Sequence, residues 1–218
     1  MVKPQNVCRP YSASDSASAT ECLVCAFDED PLMRAMVRAC GNHGWDEFAP
    51  VMFSWTNYML HSSFGMTDVV VSDTGEVLCT AGWELPSMTV MMGLRGLVFL
   101  VYIFFWDGFT AVKMYIRVMT IMEGKRHALA PGAHHLQVLG AKVQGKGVGS
   151  MCIRVGIERA NKAGADCYLE SSNPKNIPFY QRHGFKILET IYPLESDGEK
   201  GPVATLMLRK CDHSKKKA

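Results

Sequence analysis

A β-like run, His134–Ala141 (HHLQVLGA), passes directly into Lys142-Val143-Gln144-Gly145-Lys146-Gly147-Val148-Gly149-Ser150, and a helical pattern then continues to Gly164. Strand, glycine turn and helix in this order constrain the chain more than any other feature it carries. Val148, Met151, Cys152 and Val155 recur at helical spacing as an inner stripe, with Arg154 and Glu158 paired on the solvent side. A glycine turn at a helix N-terminus presents several backbone N–H groups without intrahelical partners, at the positive end of the helix dipole. Such a place binds phosphate or diphosphate.

Three phosphate-binding patterns compete for these residues. Residues 140–146 match Gly-x-x-x-x-Gly-Lys, but Gly147 stands where a Ser or Thr should hold magnesium, and no apolar run ending in a metal-binding Asp follows. A dinucleotide fingerprint needs Gly-x-Gly-x-x-Gly, whereas Gly145, Gly147 and Gly149 are spaced Gly-x-Gly-x-Gly. The third pattern, Gln-x-x-Gly-x-Gly, is met without repair by Gln144, Gly147 and Gly149.

That third pattern resembles the diphosphate loop of the GNAT superfamily of acyl-CoA N-acyltransferases. The resemblance extends to Cys167-Tyr168-Leu169-Glu170-Ser171-Ser172-Asn173-Pro174-Lys175-Asn176-Ile177-Pro178-Phe179-Tyr180-Gln181-Arg182-His183-Gly184-Phe185, similar to the family's second signature of strand, Asn-x-x-x-Tyr helix and Gly-Phe. The pair of signatures covers 136–185. More distant similarity at 26–31 and 82–86 points toward the branch that includes puromycin N-acetyltransferase, and so to small-amine substrates. One departure stands out: many members carry Val-x-Pro-x-x before the loop glutamine, where this chain has Leu139 to Val143.

The resemblance implies a mixed α/β fold, with a central, mostly antiparallel sheet containing one splayed parallel strand pair and flanked by helices. It implies an N-acetyltransferase that moves an acetyl group from acetyl-CoA, its co-substrate, to a primary amine of a small molecule by direct attack, with no metal. Coenzyme A then contacts Leu139, Gly140, Ala141, Gln144, Gly145, Lys146, Gly147, Val148, Gly149, Ser150, Asn173, Asn176, Phe179 and Tyr180. Backbone N–H groups near 139–141, at a bulge, would polarise the acyl carbonyl. Tyr180 would protonate the departing thiolate. An amine of pKa near 10 is about 99.9% protonated at pH 7, and stripping that proton costs roughly 4 kcal/mol, so a base is useful. Glu170 is the preferred candidate, beside His135, His134 and Glu84. Two other readings remain open: a non-catalytic acyl-CoA-binding or membrane-associated module, and an acetyltransferase of protein amines.

The rest of the chain supports one domain over 1–212. A strand at 7–12 leads to a helix capped by Asp15 or Ser16 and running to about 27; a second helix covers 31–40, stopped by Gly41. Runs at 69–72 and 77–84 joined by Asp73-Thr74-Gly75-Glu76 read as a hairpin, and 185–192 with 203–209 close an antiparallel edge. Asn173 precedes Pro174 and stays extended, Asn176 caps a short helix, and Gly184 ends it. Residues 88–106 are almost wholly apolar and could just cross a bilayer as a helix of about 29 Å. Arg95 inside the run opposes a crossing by roughly 2.5–3.5 kcal/mol. Strands on either side sharing one sheet would oppose it more firmly. The segment is read as a core or cleft helix, with peripheral membrane contact as the alternative, followed by a helix capped by Asp107 and ended by Gly124, its methionines able to line an adaptable pocket. Cys22-x-x-Cys25 with Cys40-x-x-His43 mimics zinc spacing, but both Cys22 and Cys25 fall in an apolar helical pattern and are read as core. A net charge of +2 gives no footprint for nucleic acid, and the lysines of 213–218 read as a frayed tail. Cysteines without a signal peptide suggest a reducing cytoplasm, with the chain a monomer or homodimer.

Overall fold

Asp30 and Pro31 begin a helix by two complementary devices. The Asp30 carboxylate accepts the N–H groups of Leu32 and Met33, and Pro31 occupies the first turn, where its missing N–H costs nothing. Gly41, at φ 83°, closes that helix in the left-handed region. These events define α2, Pro31–Cys40, in the computed structural model, which describes residues 6–61, 66–196 and 198–212. The lysine tail lies outside the described residues.

Around α2 the chain forms β1 (Val7–Pro10), α1 (Ser16–Ala26), α3 (Trp45–His61), β2 (Thr67–Val71), β3 (Val77–Glu84), α4 (Thr89–Leu129), β4 (His134–Ala141), α5 (Val148–Ala163), β5 (Cys167–Ser171), α6 (Ile177–Arg182), β6 (Lys186–Ile191) and β7 (Ala204–Arg209). The seven strands lie in the order β1-β2-β3-β4-β5-β7-β6. All neighbours are antiparallel except β4 and β5, as the mixed sheet with one parallel pair requires. The last two strands pair antiparallel and close that edge of the sheet, with β7 between β5 and β6.

Both faces of the sheet are covered. On one, α5 packs against Trp83 so closely that a Cβ on Gly156 would lie 2.1 Å from the indole. The buried stripe of α5 is centred on Val148, Cys152, Ile153, Gly156 and Ile157, displaced from the predicted stripe, with Met151 and Val155 only half-buried. On the other face, Leu23, Phe48, Phe53, Leu60, Phe99, Ile103 and Val138 form a second core between α1, α3 and α4. Helix α3 is absent from the sequence reading. Pro50 reads as a breaker, yet Trp45, Phe48, Ala49, Met52 and Phe53 repeat at helical spacing and their burial outweighs one lost backbone bond.

Residues 88–124 also differ from expectation. A single element, α4, runs to Leu129 and breaks only at Gly108, whose φ of 83° and ψ of −177° turn the chain. Gly124 does not end it, because an isolated glycine costs about 1 kcal/mol and neighbouring burial exceeds that. Asp107 does not cap the second arm; both its carboxyl oxygens are buried without a hydrogen-bond partner, and burial raises its pKa. Asn42 and His43 instead bond the backbone carbonyls of Asp107 and Trp106. By length and composition 92–129 could cross a membrane, and only 22% of its most apolar window is buried. Yet β3 and β4, which flank α4, pair with each other from Cys79↔Ala141 to Glu84↔His135.

The zinc spacing does not converge. Cys22 is buried near the Gly140 carbonyl, Cys25 is exposed rather than core, and His43 stacks on Trp106 at 4.2 Å. The tightest packing point yields a test: Gly156→Ala is expected to destabilise the protein by about 1–3 kcal/mol in denaturant unfolding, because the new methyl meets the fully buried Trp83 ring.

Candidate active site

Two parallel strands that start together and then part create the site. β4 and β5 pair only at His134↔Cys167 and His135↔Tyr168. Beyond those residues β4 remains bonded to β3, while β5 bonds β7. The divergence begins at Gln137, the extra residue of a bulge on β4: Gly82 faces Val138 and Trp83 faces Leu136. A bulge bends its strand and sharpens its twist. It lies two residues before the window expected from the sequence, and nothing in the residue types marked it.

At the wide end of the gap lies the glycine turn. Gly145 and Gly147 adopt φ of 75° and 79°, Gly147 acting as N-cap of α5. Among the described residues, no protein acceptor takes the N–H groups of 143–150, so they remain available to a diphosphate. Phe179 lies over Gly149, its ring at ordinary contact distance, 3.4 Å, from where a Cβ would stand. A cavity of about 400 Å³ follows the turn, lined by Leu139, Gly140, Ala141, Gln144, Gly145, Gly147, Val148, Gly149, Ser150, Asn173, Asn176, Phe179 and Tyr180. Of the predicted coenzyme-binding residues, Lys146 alone is not on its wall; Lys175 and Arg182 are the cations there. The capping roles within 173–176 are exchanged: the Asn173 side chain accepts Lys175 N–H, whereas Asn176 makes no side-chain cap bond and faces the cavity. Its place beside Pro174 gives Asn173 the extended φ that a cap needs.

A second, smaller cavity of about 170 Å³ meets the first at Phe27, Asp30, Leu139, Asn176 and Tyr180. Tyr180 is buried at this junction, and burial pushes its pKa upward, so the phenol keeps its proton. Asp30 ties the junction together, since its second carboxylate oxygen accepts the Ser172 hydroxyl at the end of β5. Sequence reading assigned Asp30 no role in the site; its capping signature was the available clue.

The inner wall of the second cavity is charged. His135 Nε2 lies 2.6 Å from Glu170 Oε2, and His135 Nδ1 lies 3.7 Å from Glu84 Oε2. Arg126 reaches Glu84 at 3.3 Å and Glu123 at 2.5 Å. Thus Glu170, His135 and Glu84, three of the candidate bases, come together. His134 does not join them, because alternate strand residues face opposite sides; burial lowers its pKa. Burial disfavours the His135 cation, but the Glu170 and Glu84 carboxylates outweigh it and raise its pKa to about 9. Glu84 is drawn the other way: burial opposes its charge, and His135 and Arg126 still lower its pKa. Glu84, Glu123 and His135 are close enough to share a metal ion, but the Arg126 guanidinium already lies against both carboxylates. Sequence spacing could not reveal Glu123 and Arg126, which approach β3 only through the second arm of α4.

Residues 135–185 match the profile of the Acetyltransferase (GNAT) family. Arylalkylamine N-acetyltransferase 2 from Aedes aegypti is 14% identical, with 95% of this chain and 100% of that one covered and a TM-score of 0.68. A polyamine N-acetyltransferase of Drosophila melanogaster is 14% identical over 94% and 100%, with a TM-score of 0.63. A crystal structure of histone acetyltransferase HPA2 and related acetyltransferase from Corynebacterium glutamicum is 20% identical over 95% and 97%, with a TM-score of 0.61. The profile match covers the two signature segments and the splayed parallel pair, and over nearly its whole length the chain has the fold of these acetyltransferases.

The coupling of His135 to its carboxylates has a sign that can be measured. Its pKa rises on folding from an ordinary 6.5 to about 9. The resulting stability is fully present below pH 6.5 and is lost as pH rises to about 9. Denaturant unfolding of the wild type is expected to show up to about 3 kcal/mol less stability at pH 9.5 than at pH 6.5. His135→Gln should flatten that slope.

Proposed function

We propose that the chain acetylates the primary amine of a small molecule from acetyl-CoA, by direct attack within a ternary complex. The observation that carries this reading is a pair of acceptors in the second cavity. Gln137 Oε1 and Glu170 Oε1 are buried there without a donor. Leaving buried acceptors unpaired costs about 1–3 kcal/mol each. An ammonium group, which has only donors, relieves both.

In this reading the roles follow one line. Coenzyme A, entering as co-substrate, supplies the acetyl group as a thioester, with its diphosphate on the 145–150 turn. The thioester then reaches the junction at Leu139 and Tyr180, where the β4 edge that has left β5 turns its backbone groups toward the acyl carbonyl. Glu170 Oε1 accepts a proton from the ammonium, and the freed nitrogen forms its C–N bond as the C–S bond breaks. Tyr180 O–H protonates the departing sulfur; the second proton of the nitrogen passes to the Tyr180 oxygen as the amide forms, and the proton held by Glu170 is released to solvent, so the balance closes. Glu170 acts as a unit with His135, whose cation at neutral pH pairs with the other carboxylate oxygen. The relatives named for arylalkylamine and polyamine acetylation support a small amine as acceptor.

Acetyl-CoA, a panel of amines and a thiol reagent test the proposal directly. Release of free CoA with at least one amine is expected, and tight CoA binding without turnover on any of them would sink it. Tyr180→Phe should lower kcat at least tenfold with CoA affinity nearly unchanged, and an unaltered kcat would remove the acid role. Glu170→Gln should lower kcat/KM at pH 7 by about 10²–10⁴, the usual contribution of a positioned base.

A further inference from the structure

A third cavity, of about 440 Å³, lies behind the charged wall, between the two arms of α4 and the end of β3. It shares Tyr115, Met119, Glu123 and Gln137 with the amine cavity, so the two adjoin along those side chains. Its inner end carries Glu84, Glu123 and Arg126, and its walls are Met59, Met92, Leu97, Leu100, Ile116 and Met119. Gly93 and Gly96 open its side: a Cβ built on either meets no atom within 4 Å. From Met92 to Leu100 the slot follows the helix for about 12 Å at 1.5 Å per residue. Its volume falls within the range of about 300–1,000 Å³ typical of ligand pockets.

Charge decides the polarity of what enters. Glu84, Glu123 and Glu170 set three carboxylates against Arg126 and the His135 cation, with His127, exposed on the outer side, 3.6 Å from Glu123; the interior face keeps an excess of carboxylate. The unpaired Gln137 Oε1 stands at the boundary of both cavities. A cation with an elongated aliphatic body complements this arrangement: its ammonium at Gln137 and Glu170, its chain along the Gly93–Gly96 slot past Met119.

We propose that the slot between the arms of α4 binds the tail of the acceptor, and that the acceptor is a primary amine with a long alkyl chain. This rests on the amine-acetylating reading above and adds the substrate class. Methionine walls suit a flexible chain, since the thioether adapts its shape. The open rim at Leu97 and Ile116 gives the tail an exit beyond the slot.

The experiment is a series of butylamine, hexylamine, octylamine and decylamine below micellar concentration, with acetyl-CoA and CoA release as readout. For the wild type, kcat/KM is expected to rise with each added methylene by up to about fourfold, the equivalent of burying one CH₂. Gly96→Leu fills the slot and favours the helix; it should reduce the decylamine-to-butylamine ratio of kcat/KM at least tenfold. A flat wild-type series, or an unchanged ratio in the variant, overturns the proposal. Unfolding-temperature shifts with decylamine and butylamine give a second readout independent of turnover. If no amine is acetylated yet decylamine protects the wild type more than Gly96→Leu, the catalytic reading fails and the tail site stands. If protection is independent of chain length, the tail site fails.

Discussion

β4 cannot satisfy both neighbours along its whole length, and the site exists because it does not. Its antiparallel bonds to β3 run to Cys79↔Ala141, whereas its parallel bonds to β5 stop at His135↔Tyr168. A parallel pair closed to its end would leave no gap, and an open gap normally leaves backbone groups without partners. The Gln137 bulge supplies the bend, and β7 secures the other side of β5 through five paired positions, so the opening does not propagate into the sheet. The β4 edge left bare is then free to pair with a ligand chain, and the glycine turn at the end of β4 is aimed at the same gap. Tyr180, carried by α6 after β5, reaches the junction from the opposite side.

The charges around His135 are a second consequence of the same architecture. Burying Glu84, Arg126 and His135 costs several kcal/mol per ion before any pairing, and pairing in the interior does no more than approach that cost. Such a group is therefore poor evidence for stability. It makes better sense as preorganisation: polar groups already desolvated and oriented respond to charge that moves during reaction without waiting for water to reorganise. Arg126 is central to that order, since it holds Glu84 and Glu123 and leaves Glu170 to His135 and to the cavity. Removing a single member would leave its partner buried and uncompensated, so these residues act as a unit in folding and in chemistry.

How much of this was legible in the sequence depends on how local each signal is. α2 was bounded correctly because Asp30-Pro31 and Gly41 act within one helical turn, and β4, the glycine turn and α5 were legible for the same reason. The wall of the first cavity was legible too, because most of it comes from two contiguous segments, 139–150 and 173–182. Helix α3 was not read at all, although Trp45, Phe48, Ala49, Met52 and Phe53 repeat at helical spacing; the Pro50 inside it is tolerated because burial of that face outweighs one lost backbone bond. The charged cluster was only half visible. Glu84, His135 and Glu170 lie on strands whose neighbourhood could be guessed, but Glu123 and Arg126 arrive through a helix whose path depends on the backward turn at Gly108. A bulge such as that at Gln137 arises from how two twisted strands fit together, and no residue type is required for it.

The apolar run of α4 shows how topology decides between readings that composition leaves equal. Its length and hydropathy fit a membrane span, and its first arm exposes Leu94, Leu97, Val98, Val101 and Phe105. A single crossing would move β4 to the far side from β3, parting six paired positions and the core that joins Phe99 and Ile103 to Val138. Arg95 adds to the cost, since its guanidinium donates to the Met59 carbonyl at the end of α3 and lies over the Tyr58 ring. The break at Gly108 instead returns the second arm across the first. In that hairpin one stripe of apolar residues completes the core, and another walls the slot beside Glu123 and Arg126. Apolar surface that a span would spend on lipid becomes, in this arrangement, the side of a cavity that ends at Glu84, Glu123 and Arg126.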